Sequence, residues 1–100
     1  MNPRFLNIIN SSNPVLVDFY AEWCIPCKEV TPVLKKVKKE MSQVKIVKVD
    51  VDRNPFIASH FKINHLPTLI IFKKGKPLWQ GEGVYSVEEL KTIIRQRFYE

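Results

Sequence analysis

The sequence predicts an α/β fold: a mixed central sheet of parallel strands closed by an antiparallel C-terminal hairpin, with helices on both faces. Three observations carry this. Short β-branched and aromatic runs recur at 15–20, 44–51 and 68–72, segments with helical spacing separate them, and a turn at Lys74-Gly75-Lys76 leads into a last strand, Pro77 to Gln80. One hundred residues, 45% hydrophobic and 26% charged, suit one globular domain over 1–100 and exclude a disordered or disulfide-dense chain.

Each element has its own signal. Phe5, Ile8 and Ile9 fall at i, i+3 and i+4 and predict a short amphipathic helix stopped by Asn10-Ser11-Ser12-Asn13-Pro14. Val15 to Tyr20 reads as a buried strand interrupted by one acid, Asp18. From Pro26 onward, Val30, Val33, Leu34, Val37 and Met41 form an apolar helical stripe, with Pro32 inside it. Val44 to Val51 alternates as a second strand, and Pro55 opens a short helix carrying Phe56, Ile57 and Phe61. Thr68 to Phe72 is the third strand. Ser86 and Glu89 match a capping box, after which Val87, Leu90, Ile94 and Phe98 continue one stripe to the end. Strands joined through helices imply right-handed parallel crossovers, with the antiparallel edge confined to the closing hairpin.

Composition also narrows the function. The net charge of +6 favours anionic partners through long-range steering, but the densest run, Lys35-Lys36-Val37-Lys38-Lys39, has the spacing of a solvated helix face. No helix-turn-helix, zinc-finger or RNP-like pattern points to nucleic acid. No apolar stretch of about 18 residues predicts a membrane span, and the broken apolar run from Met1 to Asn13 lacks a signal-peptide core. A cytoplasmic monomer is the expectation.

The two cysteines stand three residues apart in Trp23-Cys24-Ile25-Pro26-Cys27, between a buried strand and a helix. Such a junction places Cys24 at or near the helix N-cap and Cys27 one turn on. Helical geometry then gives a Cα separation of about 5 Å, inside the roughly 4.4–6.8 Å that a disulfide tolerates. Unpaired amides and the positive end of the helix dipole favour a thiolate at Cys24 more than at Cys27. Two unequal thiols predict exchange: Cys24 attacks a substrate disulfide, and Cys27, once deprotonated, resolves the mixed disulfide. Asp18 is the candidate base, since burial raises a carboxyl toward proton-accepting range. An outward-facing acid, or one satisfied by a buried hydrogen bond, remains the other reading of Asp18. Zinc is the rival chemistry for Cys24, Cys27, His60 and His65. Its spacing is wrong: 32 residues intervene, where a finger uses about 12. No metal is expected, the histidines read as ordinary surface residues, and a loop-to-helix junction is not expected to be deep core.

The ordered set Val17-Asp18-Phe19-Tyr20-Ala21-Glu22-Trp23-Cys24-Ile25-Pro26-Cys27-Lys28, Pro32, Lys48-Val49-Asp50, Asn54-Pro55, Leu66-Pro67-Thr68, Phe72-Lys73-Lys74-Gly75 and Gly83 resembles the thioredoxin family over nearly the whole chain. The resemblance implies that fold and protein-disulfide reduction, with Cys24 as nucleophile, Cys27 as resolving thiol, Asp18 as proton acceptor and Lys48 beside that acid. It implies no cofactor beyond the redox-active pair, a thioredoxin reductase as electron donor and disulfide-containing proteins as substrates. It also implies that Pro67 is cis, leaving the Leu66 backbone free to pair with an extended substrate, and that Trp23, Ile25, Pro26 and Gly83 complete a shallow apolar rim. Pro26 fits a reductant, because oxidants and isomerases of the family carry histidine there. Three residues depart from the family pattern: Ile25 replaces a glycine, Glu82 an apolar residue and Tyr20 a tryptophan. Ile25 and Glu82 bear on partner choice, so a specialised donor, or a non-catalytic binding module, stands beside the general reductase.

Overall fold

The computed structural model describes residues 2–99. Asn2 opens helix α1 (Pro3–Ile9): its side-chain oxygen accepts from the Arg4 and Phe5 amides at 2.9 and 3.4 Å, and Pro3 sits where no amide is needed. Strand β1 (Val15–Tyr20) follows, then helix α2 (Cys27–Glu40), strand β2 (Lys45–Asp50) and helix α3 (Pro55–His60). Strands β3 (Thr68–Lys73) and β4 (Lys76–Glu82) precede helix α4 (Val87–Ile94). The predicted order of elements is the observed one.

The sheet has four strands in the order β2-β1-β3-β4. β1 and β2 are parallel, from Val15 opposite Lys45 to Tyr20 opposite Asp50. The expected second parallel crossover is not there: β3 runs antiparallel to β1 as well as to β4. β3 starts at the end of the sheet where β2 stops, so it runs back against β1.

The pleat sorts side chains into two cores. Val15, Val17 and Phe19 of β1, with Ile70 and Phe72 of β3, pack against Phe5 and Ile9 of α1 and Ile57 of α3. Leu16, Leu69 and Ile71 face the other way, against Val30, Leu34 and Val37 of α2 and Leu90 and Ile94 of α4. Asp18 lies two residues beyond Leu16, on the face that α2 covers. In the lysine-rich run Val37 is buried and its four lysines are exposed, a solvated face as expected.

The ends of the elements follow from local chemistry. Lys74 and Gly75 both have positive φ, 48° and 83°, the two-residue turn that matches strand twist. Ser86 accepts from the Glu89 amide at 3.1 Å while the Glu89 carboxylate accepts from the Ser86 amide at 2.8 Å, so the capping box forms as predicted. The last stripe differs from expectation: regular helix stops at Ile94, and Arg95–Tyr99 form a wider π-helical turn. There the Phe98 ring lies 5.2 Å from the Lys73 ammonium.

Candidate active site

Four strand ends meet at one end of the sheet. Tyr20 pairs with Asp50, Phe19 with Thr68, and Thr68 with Glu82, so the loops after β1, β2 and β4 and the loop before β3 converge. The loop after β1 carries the cysteines, which are joined as a disulfide with a Cα separation of 5.4 Å. This agrees with the separation expected from helical spacing.

The placement of the two residues differs from prediction. The helix begins at Cys27 itself, with Pro26 as its N-cap, so Cys24 lies two residues ahead of the cap. The Pro26 side chain cannot cap; the Cys24 sulfur takes that role, accepting from the Cys27 amide at 3.3 Å. An amide aimed at a sulfur favours its anionic form. The junction is also more buried than expected. Cys24 and Cys27 are each only 4% exposed, packed with Ala21 and, on their flanks, Tyr20, Val51 and Leu66.

Asp18 is fully buried, and among the described residues neither carboxylate oxygen has a hydrogen-bond partner. That excludes an outward-facing acid, and no protein group among the described residues satisfies the carboxyl. Desolvation pushes its pKa from 3.8 up to about 6, partly opposed by the Lys48 ammonium. Lys48 is the β2 register partner of Asp18. Its ammonium donates to the Thr31 hydroxyl of α2 at 3.1 Å and lies 4.6 Å from the centre of the Tyr20 ring.

The rim residues behave as a surface. Trp23 and Ile25 are 69% and 76% exposed, and Pro26 is exposed. The Trp23 indole donates to Asp52 at 2.8 Å, a partner that sequence reading missed. Asp50 builds the turn that presents Asp52: its carboxylate accepts from the Asp52 and Arg53 amides at 2.9 and 3.4 Å. The partners stand 29 residues apart in the chain, so no local signal marks the contact. Opposite, the Leu66–Pro67 bond is cis, and Gly83, at φ 94°, donates its amide to the Pro67 carbonyl at 2.9 Å. Among the described residues, Leu66 enters no backbone–backbone hydrogen bond. The histidines are dispersed: His60 packs edge-on against Phe61, and His65 lies 2.9 Å from Glu82.

Two sulfurs joined across a Cα separation of 5.4 Å, one of them served by a helix amide and both beside a cis-proline strand end, define a thiol-disulfide oxidoreductase. The chain belongs to the thioredoxin family, whose pattern it matches over residues 2–96. It is 43% identical over 84 residues to the thioredoxin of Chlamydia trachomatis, covering 84% of this chain and 82% of that protein. It is 45% identical over 75 residues to a bifunctional thioredoxin reductase/thioredoxin of Mycobacterium leprae, covering 74% of this chain and 16% of that protein. The oxidized mitochondrial thioredoxin 3 of Saccharomyces cerevisiae superposes with a TM-score of 0.84 at 33% identity, over 93% of this chain and 87% of that one. The chain is thus a disulfide reductase working through a redox-active CxxC pair. Proteins of this family act on disulfide-containing proteins and are reduced by thioredoxin reductase.

Proposed function

We propose that the chain is a general protein-disulfide reductase in a reducing, cytoplasmic compartment, with residues 1–100 acting as one domain and a thioredoxin reductase as its electron donor. The reductase half of the Mycobacterium leprae relative supports that donor. Cys24 as thiolate attacks one sulfur of the substrate disulfide, and the other substrate sulfur leaves as a thiolate. Cys27 then loses its proton and attacks the Cys24 sulfur. The second substrate thiolate leaves, and the Cys24–Cys27 disulfide holds the two-electron oxidation. Asp18 takes the Cys27 proton and Lys48 limits how far burial raises that acid. The observation that carries the reading is the unpartnered, fully buried Asp18 carboxyl on the sheet face that α2 covers.

Substrate docks as an extended segment against the free Leu66 backbone beside Pro67, with Trp23, Ile25, Pro26 and Gly83 around it. A second reading, a donor to a narrow set of targets, is favoured by the exposed Ile25 side chain. Insulin reduction with a small-dithiol donor tests the function. Turnover is expected, lost in Cys24→Ser, while Cys27→Ser accumulates mixed disulfide. Asp18→Asn should slow release from the mixed disulfide more than initial attack; an unchanged release rate removes Asp18 from the mechanism.

A further inference from the structure

Charge is distributed unevenly along the strands. The end of the sheet remote from the cysteines carries Lys45, Lys73, Lys74 and Lys76, by the register of Val15 with Lys45 and of Lys73 with Lys76. The cysteine end carries Asp50 and Glu82 at the strand termini, with Glu22 and Asp52 exposed in the adjoining loops. Lys28 and Arg53 also lie near this end, but Arg53 sits against Asp50, at 3.9 Å. A protein of net charge +6 therefore presents acids where its dithiol is.

Glu82 is the best placed of them. It is the β4 partner of Thr68 and directly precedes Gly83, whose amide ties it to Pro67. His65, directly before Leu66, holds the Glu82 carboxylate through Nδ1 at 2.9 Å. This clasp bridges the two chain segments that border the free Leu66 backbone, and the Glu82 side chain remains 52% exposed. The indole hydrogen bond fixes Asp52 on the opposite side.

We propose that Glu82, held by His65, is a specificity-determining residue that favours disulfides whose cysteine is flanked by Lys or Arg. The inference rests on the reductase reading and on substrate pairing with Leu66. Diagonal side chains on neighbouring strands lie about 7 Å apart, which we take as the separation between a flanking substrate charge and the carboxylate. There, one exposed charge pair changes the encounter rate about threefold at low salt, and physiological salt mutes the effect.

The test uses three disulfide peptides that differ only in the residue beside the cysteine: Lys, Ala or Glu. Second-order reduction rates are measured with the intact reduced protein at about 10 mM ionic strength. The wild type is expected to prefer the Lys over the Glu peptide by about tenfold, about threefold from attraction and about threefold from repulsion, and Glu82→Gln to bring that ratio close to one. Glu40→Gln makes the same change in net charge about 20 Å along α2 from Cys27 and should leave the ratio in place. A wild-type ratio near one, or equal loss in both variants, overturns the proposal while leaving the reductase reading intact. Failure to reduce even the Ala peptide removes the reductase reading and this inference with it.

Discussion

A carboxylate buried without a partner resists ionisation, and Asp18 is such a group, with its pKa at about 6 rather than 3.8. The folded protein binds this proton more tightly than the unfolded chain does. Stability from this group is therefore present below pH 4 and lost as pH rises through about 6. Ionised at pH 7, Asp18 costs on the order of 3 kcal/mol. In urea unfolding of the oxidised protein, wild type should lose about that much more stability between pH 4 and pH 8 than Asp18→Asn does. Parallel pH profiles would show that the carboxyl is not destabilised. Much of this was legible in the residues: an acid inside Val15 to Tyr20 faces burial or a bulge. What the letters did not show was whether a partner met it. Asp52 beneath Trp23 was invisible for the same reason, because a contact across 29 residues has no local signature.

Elements with local signals formed where their residues indicated. The capping box of α4 is one; Ser86→Ala removes an acceptor that serves the Glu89 amide and should cost about 1 kcal/mol by urea unfolding. The β3–β4 turn is another. At φ 83° Gly75 tolerates no β-carbon without strain, so Gly75→Ala should lose about 1 kcal/mol; an unchanged midpoint would mean that the hairpin relaxes. Direction was harder to read than existence. The helix signal between β2 and β3 was present, but a helix signal does not say at which end of the sheet the chain re-enters, and β3 returns antiparallel. The start of α2 was read too early for a related reason. Cys24 looked like a cap because three-residue spacing fits a helix, yet the chain enters regular helix only at Cys27, while the Cys24 sulfur still accepts the first amide.

At the scale of the molecule, two apolar layers on one sheet place every functional loop at a single end and leave the lysines of α2 in solvent. The Cα radius of gyration is 12.6 Å, near the roughly 13 Å of a compact chain of this length. No helix among the described residues is long and apolar enough to cross a membrane. Small-angle scattering of the dilute protein should return an 11.7 kDa particle; twice that mass would show that Trp23, Ile25 or the exposed Phe56 seats a second copy. The whole account depends on two adjacent thiols of different acidity. Timed alkylation of the reduced protein across pH, with each cysteine quantified by mass spectrometry, tests that most directly. Cys24 should react at neutral pH well before Cys27, its rate climbing with pH about a midpoint lower than that of Cys27; indistinguishable rate profiles for the two thiols would contradict the account.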